Sequence, residues 1–167
     1  MNSTARLLRH FLAALAYRTQ KALRDAPPSF DELRAAPGVR TPRELVRHMT
    51  SVLGYARTFY AGGTYDAEPL PSLAAEVARF HEMLESLGRA IDTSEPNEVT
   101  PEQLLQGPLA DAMTHAGQLA LLRRLAGAPV PAENFLKADV RADNLGADQP
   151  EPRAPGRRDG KWDPRGV

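Results

Sequence analysis

Apolar residues recur at three- and four-residue intervals in four separate stretches, and each stretch predicts an amphipathic helix. In the first, Leu8, Phe11, Leu12, Leu15, Thr19 and Leu23 fall on one face. This helix should start near residues 2–4 and stop before Pro27-Pro28, with His10 on the opposite, solvated side. The second has the clearest start: Thr41 as N-cap, Pro42 as first helical residue and Glu44 completing a capping box. Its stripe is Leu45, Met49, Val52, Ala56 and Phe59, and Gly62-Gly63 end it. His48 sits at the flank of that stripe. The third begins after Ser72, with Leu73, Val77, Phe80, Leu84, Leu87 and Ile91 as its seam. His81 lies beside the seam, where boundary packing competes with a role as fourth ligand or outer-shell partner. The fourth opens on Thr100-Pro101 with Gln103 able to cap back, but Gly107-Pro108 interrupts it. A short turn over 101–106 and a restart at Pro108, running to Gly127, follow from that.

Between these stretches, residues 26–40 read as a long irregular connection and 92–99 as a polar turn. The 61–71 loop reaches on the order of 35 Å when extended, and the second helix is roughly 28 Å long. The loop can therefore run the length of the molecule and leave helices 2 and 3 parallel. Four such helices make an all-α four-helix bundle the economical fold for residues 1–127. Residues 128–167 are rich in Pro, Asp and Arg and lack helical periodicity, which predicts an extended tail. Its apolar anchors are Phe135, Leu136, Val140, Leu145 and Trp162. The part up to about Leu145 is expected to dock on the bundle through Phe135 and Leu136 and to shield one end of the site, with residues beyond Gln149 held less.

Composition narrows the function classes. Among 167 residues, Lys plus Arg and Asp plus Glu number 21 each, so no global field attracts nucleic acid, and Arg157-Arg158 is offset by Asp159. There is no cysteine, hence no disulfide framework or thiolate chemistry. Arg6 and Arg9 flank FLAALA like a faint signal peptide, but that apolar run is too short, and no run is long enough to span a membrane. The expectation is a cytoplasmic protein.

The chemistry concentrates in the fourth stretch. Asp111, His115, Gln118, Leu122 and Leu125 share one stripe. Asp111 and His115 stand at i and i+4, so a carboxylate and an imidazole converge and can ligate one metal ion. The plainer alternative is an ion pair, with Asp111 favoured by the dipole of the restarted helix. His48, facing inward from helix 2, makes a third candidate ligand. Two imidazoles and one carboxylate suit Zn, Ni, Fe or Mn. No general base is evident, although Glu82, Glu85 and Tyr55 are available.

ELVRHMTSVLGYA in helix 2, together with DAMTHAGQLALLRRLAG in the last helix, resembles the DinB-like (damage-inducible protein B) superfamily of metal-binding helical bundles. The resemblance covers residues 1–127 and rests on His48 and on the H-x-G-Q run His115-Ala116-Gly117-Gln118. It implies three ligands, one from helix 2 and two a turn apart in the last helix. His48 and His115 match two of them. Asp111 stands where many members carry histidine; aspartate ligates too, and the change bears on metal preference. The resemblance also implies up-down-down-up helices, homodimers, and thiol-dependent transferase or isomerase chemistry, hence a small-molecule substrate such as a low-molecular-weight thiol. Two readings follow: a metal-dependent enzyme using His48, Asp111 and His115, or an inert bundle that binds or dimerises and keeps the polar cluster as a hydrogen-bonded network.

Overall fold

A computed structural model describes residues 2–152 of the chain. Its elements are α1 (Ser3–Leu23), α2 (Pro42–Ala61), α3 (Leu73–Thr93), the short α4 (Pro101–Leu104) and α5 (Ala110–Leu125), with no strand among the described residues. Four of the helix starts use the same device. The side chains of Asn2, Thr41, Ser72 and Thr100 each accept a hydrogen bond from the backbone N–H three residues on, satisfying a donor that the helix itself cannot. The backbone N–H groups of Thr41 and Thr100 in turn donate to the Glu44 carboxylate and the Gln103 amide oxygen, as the sequence predicts.

α2 packs against α3 and α5, and α1 against α5 and α3. The core between them is built from Leu12 and Leu15, Met49 and Leu53, Phe80, Leu84 and Leu87, and Leu119, all fully buried. Burying each of these larger side chains contributes about 1.5–3 kcal/mol. The buried faces are wider than the predicted stripes: Tyr17, Ala16, Val46 and Leu53 are inside as well. Helix 1 therefore presents more than one seam, because the tail covers a second side of it.

The interruption at Gly107-Pro108 takes a specific form. Residues Leu105–Leu109 make a π-turn, with Gly107 at φ −91°, ψ −107°, and regular α-helix resumes at Ala110. Pro108 has no N–H to give to the ladder and crowds the preceding turn, so the wider turn absorbs it.

The described part of the tail is more firmly held than predicted, but by different residues. Leu136 is 90% exposed, which corrects the expectation that it anchors the tail. The turn Phe135–Lys137 directs Phe135 onto Tyr17 and beneath the Arg18 guanidinium, and thereby turns its neighbour outward. The deeper anchor is Glu133, whose side chain is completely buried. It accepts from Tyr17 Oη at 2.6 Å and from Lys21 Nζ at 2.8 Å. Burial, together with the neighbouring Glu133 carboxylate, raises the Tyr17 pKa far above its usual range. Arg123 fastens the start of the tail. It donates to the carbonyls of Ala22, Arg24 and Asp25, which end α1, and to that of Ala128. Farther along, Arg9 Nε donates to Ala142 O at 3.0 Å, and Arg24 holds the carbonyls of Gln149 and Pro150. Gln149 is buried, whereas Trp162 and Arg157-Arg158 lie outside the described residues. The tail thus runs over α1, α3 and α5.

His81 belongs to this tail contact. Its Nδ1 lies 2.8 Å from Leu145 O, while its Nε2 is buried without a partner. Leu145 sits over Gly88, where an added Cβ would come within 2.5 Å of Leu145 Cδ1. Protonating His81 would put a second N–H where nothing accepts it. Burial accordingly lowers its pKa below the ordinary 6.5, with the Leu145 carbonyl and Glu85 acting in the opposite direction. Below pH 6.5 the unfolded chain binds this proton more readily than the folded one. The stability contribution is therefore complete above that pH and declines as pH falls toward the lower folded value. Acidification from about pH 7.5 to 5.5 should lower the melting temperature less in His81→Gln than in the wild type; equal shifts would exclude this account.

Candidate metal centre

The centre lies where α2 faces α5. The Thr41–Glu44 capping box fixes the phase of α2, and His48 follows nearly two turns later, half-buried at the flank of the core stripe. On the other side, the π-turn delivers Asp111 to the first turn of α5, where a negative charge is favoured. His115 follows one turn on and is buried, its side chain 8% exposed.

One ligand atom from each of His48, Asp111 and His115 lies within 4.8 Å of the others. His48 Nε2 is 3.6 Å from Asp111 Oδ2, and His115 Nε2 is 3.3 Å from Asp111 Oδ1. The imidazoles meet edge to face with centroids 4.8 Å apart. Donors bonded to one tetrahedral ion at 2.0–2.2 Å stand about 3.4 Å apart; the two Asp111 distances are already near that value, and the two imidazoles would have to close by up to about 1.4 Å to share one ion. The plain ion-pair alternative is compatible with the same distances, since Asp111 lies within ion-pair reach of both imidazoles. His115 Nε2 completes no hydrogen bond, although it is buried and the Asp111 carboxylate is close. A buried nitrogen without a partner is unfavourable unless something else uses its lone pair.

Two features ready the imidazoles for ligation. Gln118 Oε1 lies 2.9 Å from His115 Nδ1. When it accepts that N–H, Nε2 carries the lone pair, the outer-shell arrangement that orients metal-binding histidines. His48 has its pKa lowered, chiefly by burial and then by the positive charge of Arg40 and by His115, with Asp111 opposing. It is neutral at neutral pH, as a ligand must be. Asp111 is the exposed member, its side chain 46% accessible, and gives the site its opening to solvent.

Clefts flank the centre on both sides. Toward the start of α5, Val52, Tyr55, Pro108, Asp111 and Thr114 line an open cleft of about 570 Å³. Toward its end, Val39, Arg40, Gln118, Leu121 and Leu125 line one of about 620 Å³. No described residue beyond Leu125 lines either cleft. The described part of the tail therefore does not shield them, contrary to expectation; its docking residues are on other faces. Leu125, predicted to lie on the buried stripe, is 59% exposed, because the irregular segment around Val39 faces it instead of a helix. Of the candidate bases, Tyr55 borders the Asp111 cleft, while Glu82 and Glu85 project from α3 as exposed residues. His10 is exposed, as expected, and His81 is engaged by the tail. Sequence reasoning did not assign Gln118 and Arg40 their roles. The three-residue step from His115 to Gln118 was a usable signal, whereas Arg40 acts from an irregular connection and left none. No helix among the described residues is long and apolar enough to cross a membrane. Comparison of the chain with protein-family models, with curated proteins and with solved structures gave no match.

Proposed function

We propose that this chain is a metal-dependent enzyme of the DinB-like type, in which His48, Asp111 and His115 hold one divalent ion. The observation that carries the reading is the convergence of these donors around the buried Nε2 of His115, which completes no hydrogen bond. Zn, Ni, Fe or Mn suits the donor set. When bound, such an ion supplies Lewis-acid activation of water, a thiol or a carbonyl group. The chain's own contributions are distinct. Gln118 fixes the orientation of His115, Arg40 and burial keep His48 neutral, and Asp111 keeps one side open to solvent. The flanking clefts have the size of small-molecule sites, and Tyr55 lines the one on the Asp111 side. The helices would form an up-down-down-up bundle. Supporting this, Arg43 near the start of α2 bonds Pro71 just before α3, Arg57 bonds Ser86, and Phe59 near the end of α2 bonds Asn97 just after α3, an order expected of parallel neighbours.

Metal uptake tests the reading. Protein stripped with chelator, reloaded with one ion at a time and dialysed should retain about one equivalent. His115→Ala should retain none while keeping its helicity, and Gln118→Ala should bind roughly 10–100-fold more weakly. Uptake unchanged in His115→Ala would favour the inert bundle instead.

A further inference from the structure

The first turns of the tail do more than dock. Together with α1 and α5 they enclose a pocket of about 280 Å³. Its walls are Val130 and Phe135 from the tail and Met113 and Ala120 from α5, and two guanidinium groups, Arg18 and Arg124, reach it. Lys21 also borders it, but its charge is matched by Glu133 at 2.8 Å. The arginines are not matched in this way. Arg18 is half-buried and stacked 3.7 Å from the centre of the Phe135 ring; among the described residues it makes no hydrogen bond or ion pair, although the Glu133 carboxylate is near enough to favour its charge. Its neighbours Arg24 and Arg123 behave differently, each donating to several carbonyls. Counting Arg18, the exposed Arg124 and the Lys21–Glu133 pair, the described groups around the pocket carry a net double positive charge against an apolar wall.

A half-buried cation without an acceptor is stabilised by any anion that reaches it. Stacking on Phe135 holds the guanidinium plane still, so less freedom is lost when its N–H groups engage a ligand. The space beside it is apolar and too small for a polymer. We infer that this pocket is a binding site for a small organic carboxylate, its anionic end held by Arg18 and Arg124 and its apolar body against Met113, Ala120 and Val130. The site is separate from His48, Asp111 and His115, and it exists only when the tail is docked.

Titrating the full chain with benzoate, followed by calorimetry and by amide shifts at residues 113–120 and 130–135, tests this. Saturable one-to-one binding is expected. Arg18→Met should weaken it about tenfold or more, as loss of a charge-assisted contact does. Ala120→Leu, which fills the pocket and leaves both charges in place, should abolish it. His115→Ala should leave it unchanged, which separates this site from the proposed metal centre. If Arg18→Met does not fold, Ala120→Leu and Arg124→Met carry the test. Absence of saturable binding, shifts confined to other residues, or retained affinity in Ala120→Leu would overturn the inference. Inorganic phosphate binding as tightly as benzoate at equal ionic strength would overturn it too, since the apolar wall would then contribute nothing.

Discussion

Replacing Glu133 by alanine should destabilise the protein by roughly 3–5 kcal/mol, as removing one partner of a buried ion pair does. The carboxylate is completely buried and serves two donors, Tyr17 Oη and Lys21 Nζ. Without it, Lys21, only 7% exposed, becomes a buried charge with no counter-ion, and the Tyr17 hydroxyl loses its acceptor in a site where burial already disfavours ionisation. The double variant Lys21→Met/Glu133→Leu should recover most of the loss, because no charge is then left unmatched and the volume is kept. Urea unfolding of the wild type, both single variants and the double variant gives the coupling directly. A loss below about 1 kcal/mol in Glu133→Ala, the scale of an exposed pair, would show that the contact is a surface one.

Arg123→Ala should be nearly as damaging, at about 3 kcal/mol or more. Its guanidinium supplies donors to the carbonyls of Ala22, Arg24, Asp25 and Ala128, and each buried carbonyl left unsatisfied costs about 1–3 kcal/mol. These carbonyls are not ladder groups. They belong to the end of α1, where the helix has no further N–H to offer, and to the turn that begins the tail. Asp25 adopts a positive φ of 52° there, a conformation that a non-glycine residue holds only when its surroundings fix it. Hydrogen exchange in Arg123→Ala should accelerate at residues 22–26 and 126–130 before it does in α2 and α3. Uniform acceleration through the whole molecule would mean that Arg123 matters only through global stability. Arg123→Lys should recover part of the loss at most, because a single ammonium cannot span four carbonyls.

What the sequence made legible was local. Thr41, Pro42 and Glu44 define the start of α2 within four residues, and the structure places it there. Gly107-Pro108 announced an interruption, and only its form as a π-turn was not foreseen. Asp111 and His115 could be paired because helical spacing guarantees their proximity, and His48 because it lay at the edge of a stripe. The failures were non-local. Nothing around Glu133 distinguishes it from a solvated carboxylate; its partners are more than a hundred positions earlier. Phe135 and Leu136 are adjacent and both apolar, and which of them faces inward is decided by a turn whose orientation depends on α1. Leu125 continued the apolar stripe of the last helix, but what faces it is a loop, and periodicity within one helix carries no information about its neighbour.

The distances along the chain at these tail contacts set an order of events during synthesis. Lys21 and Glu133 are 112 residues apart, and Arg9 and Ala142 are 133 apart. At about 5–20 residues per second, Lys21 is made roughly 6–22 s before Glu133. In that interval α2 and α3, which are consecutive in the chain, can already pair, since the entropy lost in closing the connection between them grows only slowly with its length. The first helix to be synthesised is therefore the last to be completed. Until then it waits with Tyr17 and Lys21 solvated and with the side that the tail will cover still open, a nascent surface on which a ribosome-bound chaperone could act.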